Sequence, residues 1–232
     1  MREADLPKIR ALKLFESMNG ACFNKMMEAA YFQVFPPQLQ LITEGDPADF
    51  LYVVVEGRVE MFACANGREC ITAIVEPVNA FILAAVLRDA VYLMSARTSS
   101  PSRVLMLPSG AVRQAFQEDA AFARAIVHDL AGSYRQVIKE HKNLKLRTAV
   151  ERLANRLLHF QQEQDNSPVI QLPYDKRTLA SLLGMTPENL SRAFNTLKPY
   201  GVLVSGGQIS INDPKSLRVL AKPNILIDSH QT

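Results

Sequence analysis

The chain has 232 residues, 48% of them hydrophobic, and a formal net charge of +3. Such length and apolar content support one large or two modest domains with real cores and exclude a largely disordered chain. The small positive charge does not by itself indicate nucleic acid, no apolar run approaches the ~20 residues that span a bilayer, and three widely spaced cysteines, Cys22, Cys64 and Cys70, point to a reduced cytoplasmic setting.

The opening MREADLPKIR is charged and lacks the apolar core of a signal peptide. Residues 1 to 30 read as helical, with Ile9, Leu12, Phe15, Phe23, Met26 and Met27 near helical spacing and a break from Ser17 to Gly20. From Tyr31 to about Pro108 the pattern changes to short β-rich runs separated by turn signals. Leu39 to Ile42, Phe50 to Val55, Val59 to Cys64 and Cys70 to Val75 read as strands. Asn66-Gly67 between two alternating runs is a strong hairpin signal. Cys64 and Cys70 fall on the two arms of that hairpin, close enough in sequence to meet across it, although inert buried thiols are the default expectation.

Phe81 to Thr98, FILAAVLRDAVYLMSART, is mostly apolar with a few polar groups. An apolar wall with a few placed polar groups suits a small organic ligand. Phe81, Leu83 and Met94 would line it, Tyr92 and Ser95 would orient the ligand, and Arg88 or Arg97 would pair with a carboxylate. The plainer alternative is a core helix or strand whose polar residues face water.

Glu118 to Leu146 reads as one long helix. Ala123, Val127, Leu130, Tyr134, Val137, His141 and Leu144 recur in steps of four and three, a heptad seam. The seam can pack on the chain's own β-domain, but charges flanking a neat stripe favour a parallel homodimer. His141 is read as packed rather than as a haem or metal ligand. Lys139, Lys142, Lys145, Arg147, Arg152 and Arg156 make the richest basic stretch, either a local positive surface or a solvated helix face. Arg147 to Gln164 reads as another helix. Val169 to Leu172 and Val202 to Ile211 read as strands, the latter turned at Gly206-Gly207, and the closing DSHQT is expected to be mobile.

Between those strands lies DKRTLASLLGMTPENLSRAFNTLKPYG, residues 175 to 201. Asp175 caps a first helix with Leu179, Leu182 and Leu183 on its apolar face. Gly184 stops it, Thr186 caps a second helix, and Pro187 takes the first position, where no N–H is needed. Leu190, Phe194 and Leu197 form the buried face. Glu188, Ser191 and Arg192, at i, i+3 and i+4, project together from the first turns. A helix-turn-helix offers that part of its second helix to the major groove. There arginine can bond guanine, carboxylate can accept from cytosine N4, and serine can serve base or phosphate. Thr186, Lys176 and Arg177 are the neighbouring candidates for DNA contact.

GMTPENLSRAF resembles the recognition segment of the Crp/Fnr family of bacterial transcription regulators, and Glu188-x-x-Ser191-Arg192 looks like its Fnr branch, in which these residues read TTGAT-type half-sites. LITEGDPADFLYVVVEGRVEMF resembles the first half of a cyclic-nucleotide-binding-type jelly roll, with Gly45 and Gly57 at its turn glycines. The resemblance covers most of the chain. It implies an α+β protein: a sensing β-roll with N-terminal helices over 1–117, a dimerisation helix over 118–146, and a winged helix-turn-helix over 147–232. It implies palindromic double-stranded DNA, a second copy of the chain, a small effector and RNA polymerase as partners. Family members that bind cyclic AMP carry a Gly-Glu pair and an Arg-Ser pair in the effector segment. Here those positions fall at or near Ile82-Leu83 and at Tyr92-Leu93, which argues against cyclic AMP. Haem sensing of nitric oxide or carbon monoxide is the rival reading, with Cys64, Cys70 or His141 as axial ligand. A ligand-binding protein whose helix-turn-helix has lost DNA is the other.

No catalytic pattern emerges: there is no P-loop, HExxH or GxSxG, and His128, His141, His159 and His230 lack ligand spacing. Residues 1 to 21 hold no cysteine, so the thiolate set of an iron–sulfur sensor is missing. The expectation is a regulator and no enzyme, with no metal.

Overall fold

The computed structural model describes residues 5–229. They form two compact units divided between Ser133 and Tyr134. In the first, α1 (Leu6–Arg10) and α2 (Gly20–Glu28) precede β1 (Tyr31–Phe35), β2 (Gln40–Ile42), β3 (Phe50–Glu56), β4 (Val59–Ala65), β5 (Arg68–Val75) and β6 (Asn79–Phe81). Then come α3 (Leu83–Arg88), β7 (Ser95–Thr98), β8 (Ser102–Pro108), α4 (Ser109–Glu118) and α5 (Ala120–Leu146), whose second half belongs to the other unit.

The strands make two antiparallel sheets, ordered β1-β8-β3-β6 and β2-β7-β4-β5. β3 is apolar almost throughout rather than alternating, and Leu51 to Val55 are all buried. It is a central strand with α3 and α4 against it as well as β8 and β6, so both of its faces leave water. Phe15, Phe23, Phe122 and Ile126 join the same core, with Phe15 stacked on Phe122 at 5.9 Å. Gly57 sits at φ +87° where an added Cβ would lie 2.3 Å from Ser102 Oγ and 2.4 Å from the Pro101 carbonyl, so both torsion and space demand glycine.

The Asn66-Gly67 turn forms as expected, with both residues at positive φ, which the twist of a two-residue hairpin needs. Its register corrects one expectation. Ala63 pairs with Cys70 and Cys64 with Glu69. Cross-strand partners share a face and sequence neighbours do not, so Cys64 and Cys70 lie on opposite faces and cannot meet. Both are exposed and Cys22 is half-buried, against the default of buried thiols.

The long helix expected from Glu118 to Leu146 forms over Ala120–Leu146, starting two residues later because Glu118 ends α4 and the backbone of Asp119 is extended between the two helices. The Asp119 carboxylate accepts from the N–H groups of Ala121 and Phe122, capping α5, and from Asn19 N–H at the head of α2.

In the second unit the end of α5 is followed by α6 (Ala149–Glu163), β9 (Val169–Gln171), α7 (Lys176–Leu182) and α8 (Pro187–Leu197). A 3-10 turn at Lys198–Tyr200 leads to β10 (Val202–Ser205), β11 (Gln208–Ile211), α9 (Pro214–Ala221) and α10 (Ile225–Asp228). Thr148 and Glu151 form a capping box, so α6 begins two residues later than Arg147. The three strands form an antiparallel sheet, β10-β11-β9. Leu153, Leu157, Leu179, Leu190, Leu197, Ile209 and Leu217 build the core.

The basic stretch corrects a second expectation. Lys139 is buried, Arg147 is paired with Asp228, and Arg152 donates to the carbonyls of Leu183 and Arg147, so these three are scaffold rather than a charged surface. The tail expected to be mobile is tied down at Asp228 and Ser229. Its last three residues, including His230, lie outside the described residues.

Candidate nucleic-acid interface and effector cassette

α7 and α8 meet through a turn whose geometry the sequence dictates. Asp175 accepts from Thr178 N–H at 2.7 Å and Thr186 from Asn189 N–H at 3.3 Å, capping the two helices. Gly184 lies at φ +61°, and a Cβ there would come within 2.8 Å of Leu144 Cδ2 at the end of α5. Leu179, Leu183, Leu190, Phe194 and Leu197 are buried, and Leu182 is half-buried.

The opposite face of α8 is free. Glu188, Ser191 and Arg192 are exposed together, as are Thr186, Lys176 and Arg177. The Glu188 carboxyl is held below its usual range by its own backbone N–H and by Thr186, with the Arg192 charge adding to this. It is therefore an acceptor at neutral pH. Arg192 donates to Asn189 Oδ1 at 2.6 Å, which orients the guanidinium without neutralising it. Asn189 was not singled out from the sequence, and neither was Asn195, exposed one turn beyond Ser191. The i+3 and i+4 spacing that flagged the other three residues could have found both. The hairpin of β10 and β11 turns at Gly206 with Leu203 and Val204 exposed, as a wing requires.

The α5 seam divides. Leu130 packs against the core of its own unit, and Ala123 is half-buried. Val127, Tyr134, Val137 and Leu144 are exposed, at 59%, 67%, 63% and 47%. His141 is exposed as well, so any packing it has comes from outside this chain.

The cassette is tightly self-satisfied. Phe81 and Leu83 are buried in the core, Phe81 stacked on Tyr52 at 5.3 Å. Tyr92 is buried, its hydroxyl directed at the Phe50 carbonyl, and burial raises its pKa. Ser95 is buried and accepts from Glu44 N–H. Half-buried Met94 lies 3.0 Å from Thr72 Oγ1. Arg97 donates to Glu60 at 2.9 Å and to both oxygens of Glu69 at 2.8 Å, and its guanidinium lies over Phe62. Glu60 pairs with Arg97 in register, while Met61 and Ala96, one residue on, join the core. Alternation therefore turns Arg97 to the face away from that core. Arg88, at the end of α3, is exposed. Ile82, the residue that caps α3, lies at φ +71°, a left-handed torsion that is costly for a β-branched residue. Among the described residues no group of three or more His, Cys, Asp or Glu side chains could hold a metal ion, and no helix is long and apolar enough to cross a membrane.

A β-roll with an effector segment, a long helix, and a winged helix-turn-helix with an exposed reading face together define a DNA-binding regulator that carries a sensory domain. The comparisons agree. Residues 32–119 match the cyclic nucleotide-binding domain and residues 151–220 the Crp-like helix-turn-helix domain. The CRP-like cAMP-activated global transcriptional regulator of Mycobacterium tuberculosis is 23% identical over 189 residues, 79% of this chain and 84% of that protein. The structure of FixK2 from Bradyrhizobium japonicum is similar at 25% identity and a TM-score of 0.70, covering 84% of this chain and 98% of that one. A CooA variant from Carboxydothermus hydrogenoformans, 18% identical, shares the fold at a TM-score of 0.72 over 90% of this chain and 94% of that one. The chain belongs to the Crp/Fnr family of transcription regulators.

Proposed function

We propose that this regulator acts in the cytoplasm as a homodimer and reads a palindrome of TTGAT-type half-sites in the manner of the Fnr branch. The observation that carries this reading is the exposed triad on α8: an ionised Glu188, Ser191, and an Arg192 oriented by Asn189 with no carboxylate on it. These are the donors and acceptors that distinguish base pairs in the major groove. Lys176, Arg177 and Thr186 at the adjoining helix starts are assigned to the phosphates. The exposed apolar residues of α5, Val127, Tyr134, Val137 and Leu144, support a parallel helix pair between two copies.

The effector is a small organic molecule other than cyclic AMP. Leu83 fills core where a ribose-binding carboxylate would stand, and no arginine occupies 92–93, where Leu93 is exposed. Arg88 rather than Arg97 is the group for an effector carboxylate, because Glu60 and Glu69 already hold Arg97.

A gel-shift titration on such a palindrome at fixed moderate salt tests the reading, with candidate organic acids added. A shift that disappears when both half-sites are scrambled is the expected result. Binding that ignores sequence, or no binding with any acid, overturns it. Val137→Glu is expected to give monomers by sedimentation and no shift. A dimer in that variant would move the interface elsewhere.

A further inference from the structure

The last described residues make a set of contacts that neither the sensory domain nor the reading helix uses. Arg147 donates from Nη1 and Nη2 to the two oxygens of Asp228, each at 2.6 Å. Lys139 Nζ donates to the Ser229 carbonyl at 2.6 Å. Asn155 Nδ2 donates to the Ala221 carbonyl at 2.6 Å, and Lys222 pairs with Glu151 at 3.1 Å. The segment from 221 to 229 is therefore bonded to α5, to α6 and to Arg147 between them. It also lies beyond the span matched by the Crp-like helix-turn-helix domain, which ends at 220.

Arg147 occupies the junction. α5 ends at Leu146 and Thr148 caps α6, so Arg147 and Thr148 are the only residues outside the two helices at this bend. The Arg147 carbonyl accepts from Arg152 Nη1 at 2.8 Å, and Arg152 Nε donates onward to the Leu183 carbonyl at 2.9 Å. Leu183 directly precedes Gly184, in the turn that sets the start of α8. One line of bonds thus runs from Asp228 through Arg147 and Arg152 to that turn.

The way the segment is held makes it releasable. Ile225 and Leu226 of α10 are 70% and 59% exposed, and Ile227 alone of its apolar residues is half-buried, so apolar burial is a small part of its docking. The rest of the docking is an ion pair and hydrogen bonds, and the Asp228 side of that pair is 31% exposed and so open to competition from water. A four-residue helix has no stability of its own, because a single turn cannot offset the cost of nucleation. Once Asp228 leaves Arg147, α10 should unfold as a unit. We propose that residues 223–229 are a strap that closes over the α5–α6 junction and, through Arg147 and Arg152, fixes the turn ahead of the reading helix. Releasing the strap loosens the junction and alters DNA affinity. The second claim rests on the DNA-binding reading above, and the first does not.

Hydrogen exchange on the full-length protein tests the first claim, with Asp228→Asn and a chain stopped after Lys222 as variants. Exchange in peptides spanning 143–148 is expected to rise about tenfold in both, with 31–108 unchanged, and Asp228→Glu is expected to restore protection. Unchanged exchange at 143–148 in both variants overturns the strap. So does a uniform rise through 149–221, which would make the segment ordinary support for the domain. Gel-shift titration tests the second claim: affinity is expected to change at least fivefold in both variants relative to the parent protein. Unchanged affinity with a loosened junction overturns the link to the reading helix. If the parent protein shifts no palindrome, the DNA reading fails, and the exchange result still decides the strap.

Discussion

The reading helix and the effector cassette both carry arginine in plain view of the sequence, and the two arginines differ in what already holds them. Arg192 stands in water with one neutral amide as partner. Arg97 is held by two carboxylates and an aromatic face. A guanidinium with donors to spare is available to a ligand, whereas a fully engaged one serves the fold, because a ligand would have to displace its partners and leave them unsatisfied. Residue type marks both as candidates, and only the partners separate them.

The largest effect expected from a break in this contrast lies beneath the reading face. Leu190→Ala removes a buried side chain from the core under α8 and should cost about 3 kcal/mol in a denaturant titration, with DNA binding lost alongside stability. Next comes the cassette. Arg97→Ala strands Glu60, which is only 8% exposed, and should cost about 2 kcal/mol. Adding Glu60→Gln should recover part of that loss, and a failure to recover would mean that Arg97 acts by packing on Phe62. Arg192→Ala should do the reverse: a stability change within about 0.5 kcal/mol, and a binding loss of about 1–3 kcal/mol confined to one base pair of each half-site. An equal loss on all sequences would place Arg192 on phosphate.

The smallest expected effect is a pH dependence. The bond from Phe122 N–H, helped by those from Asn19 and Ala121 and opposed by burial, holds the Asp119 carboxyl below its usual range. A carboxyl with a lowered folded-state pKa contributes stability above the unfolded value near ~3.9, and loses it as pH falls through the folded value. Urea midpoints should therefore fall between pH 6 and pH 3 more steeply in the parent protein than in Asp119→Asn. Parallel curves would show that other carboxylates govern the acid limb.

Much of the winged helix domain was legible because its signals are local. Asp175, Gly184, Thr186 and Pro187 each fix a cap or a turn within four residues of themselves, and the structure keeps every one. Asn66-Gly67 worked the same way. Long-range partners were not legible. Nothing within ten residues of Arg97 announces Glu60 or Glu69, and nothing near Arg147 announces Asp228, 81 residues away. α4 passed unnoticed because only Ser109, Val112 and Ala115 of its ten residues are buried, too few for a helical period to stand out. The hairpin thiols misled because their faces depend on register, which sequence proximity does not reveal.

Ile82 has a consequence for how this chain can drift. Its backbone adopts a left-handed turn that glycine takes freely and isoleucine only under strain. The surrounding strands and α3 thus impose a shape that the local residue does not prefer, so the scaffold and the side chain at this point are free to change separately. In a library randomised at position 82, glycine and asparagine should be retained and valine and threonine depleted. A single substitution of Ile82 by glycine would therefore empty side-chain volume from the cassette while asking nothing of the backbone.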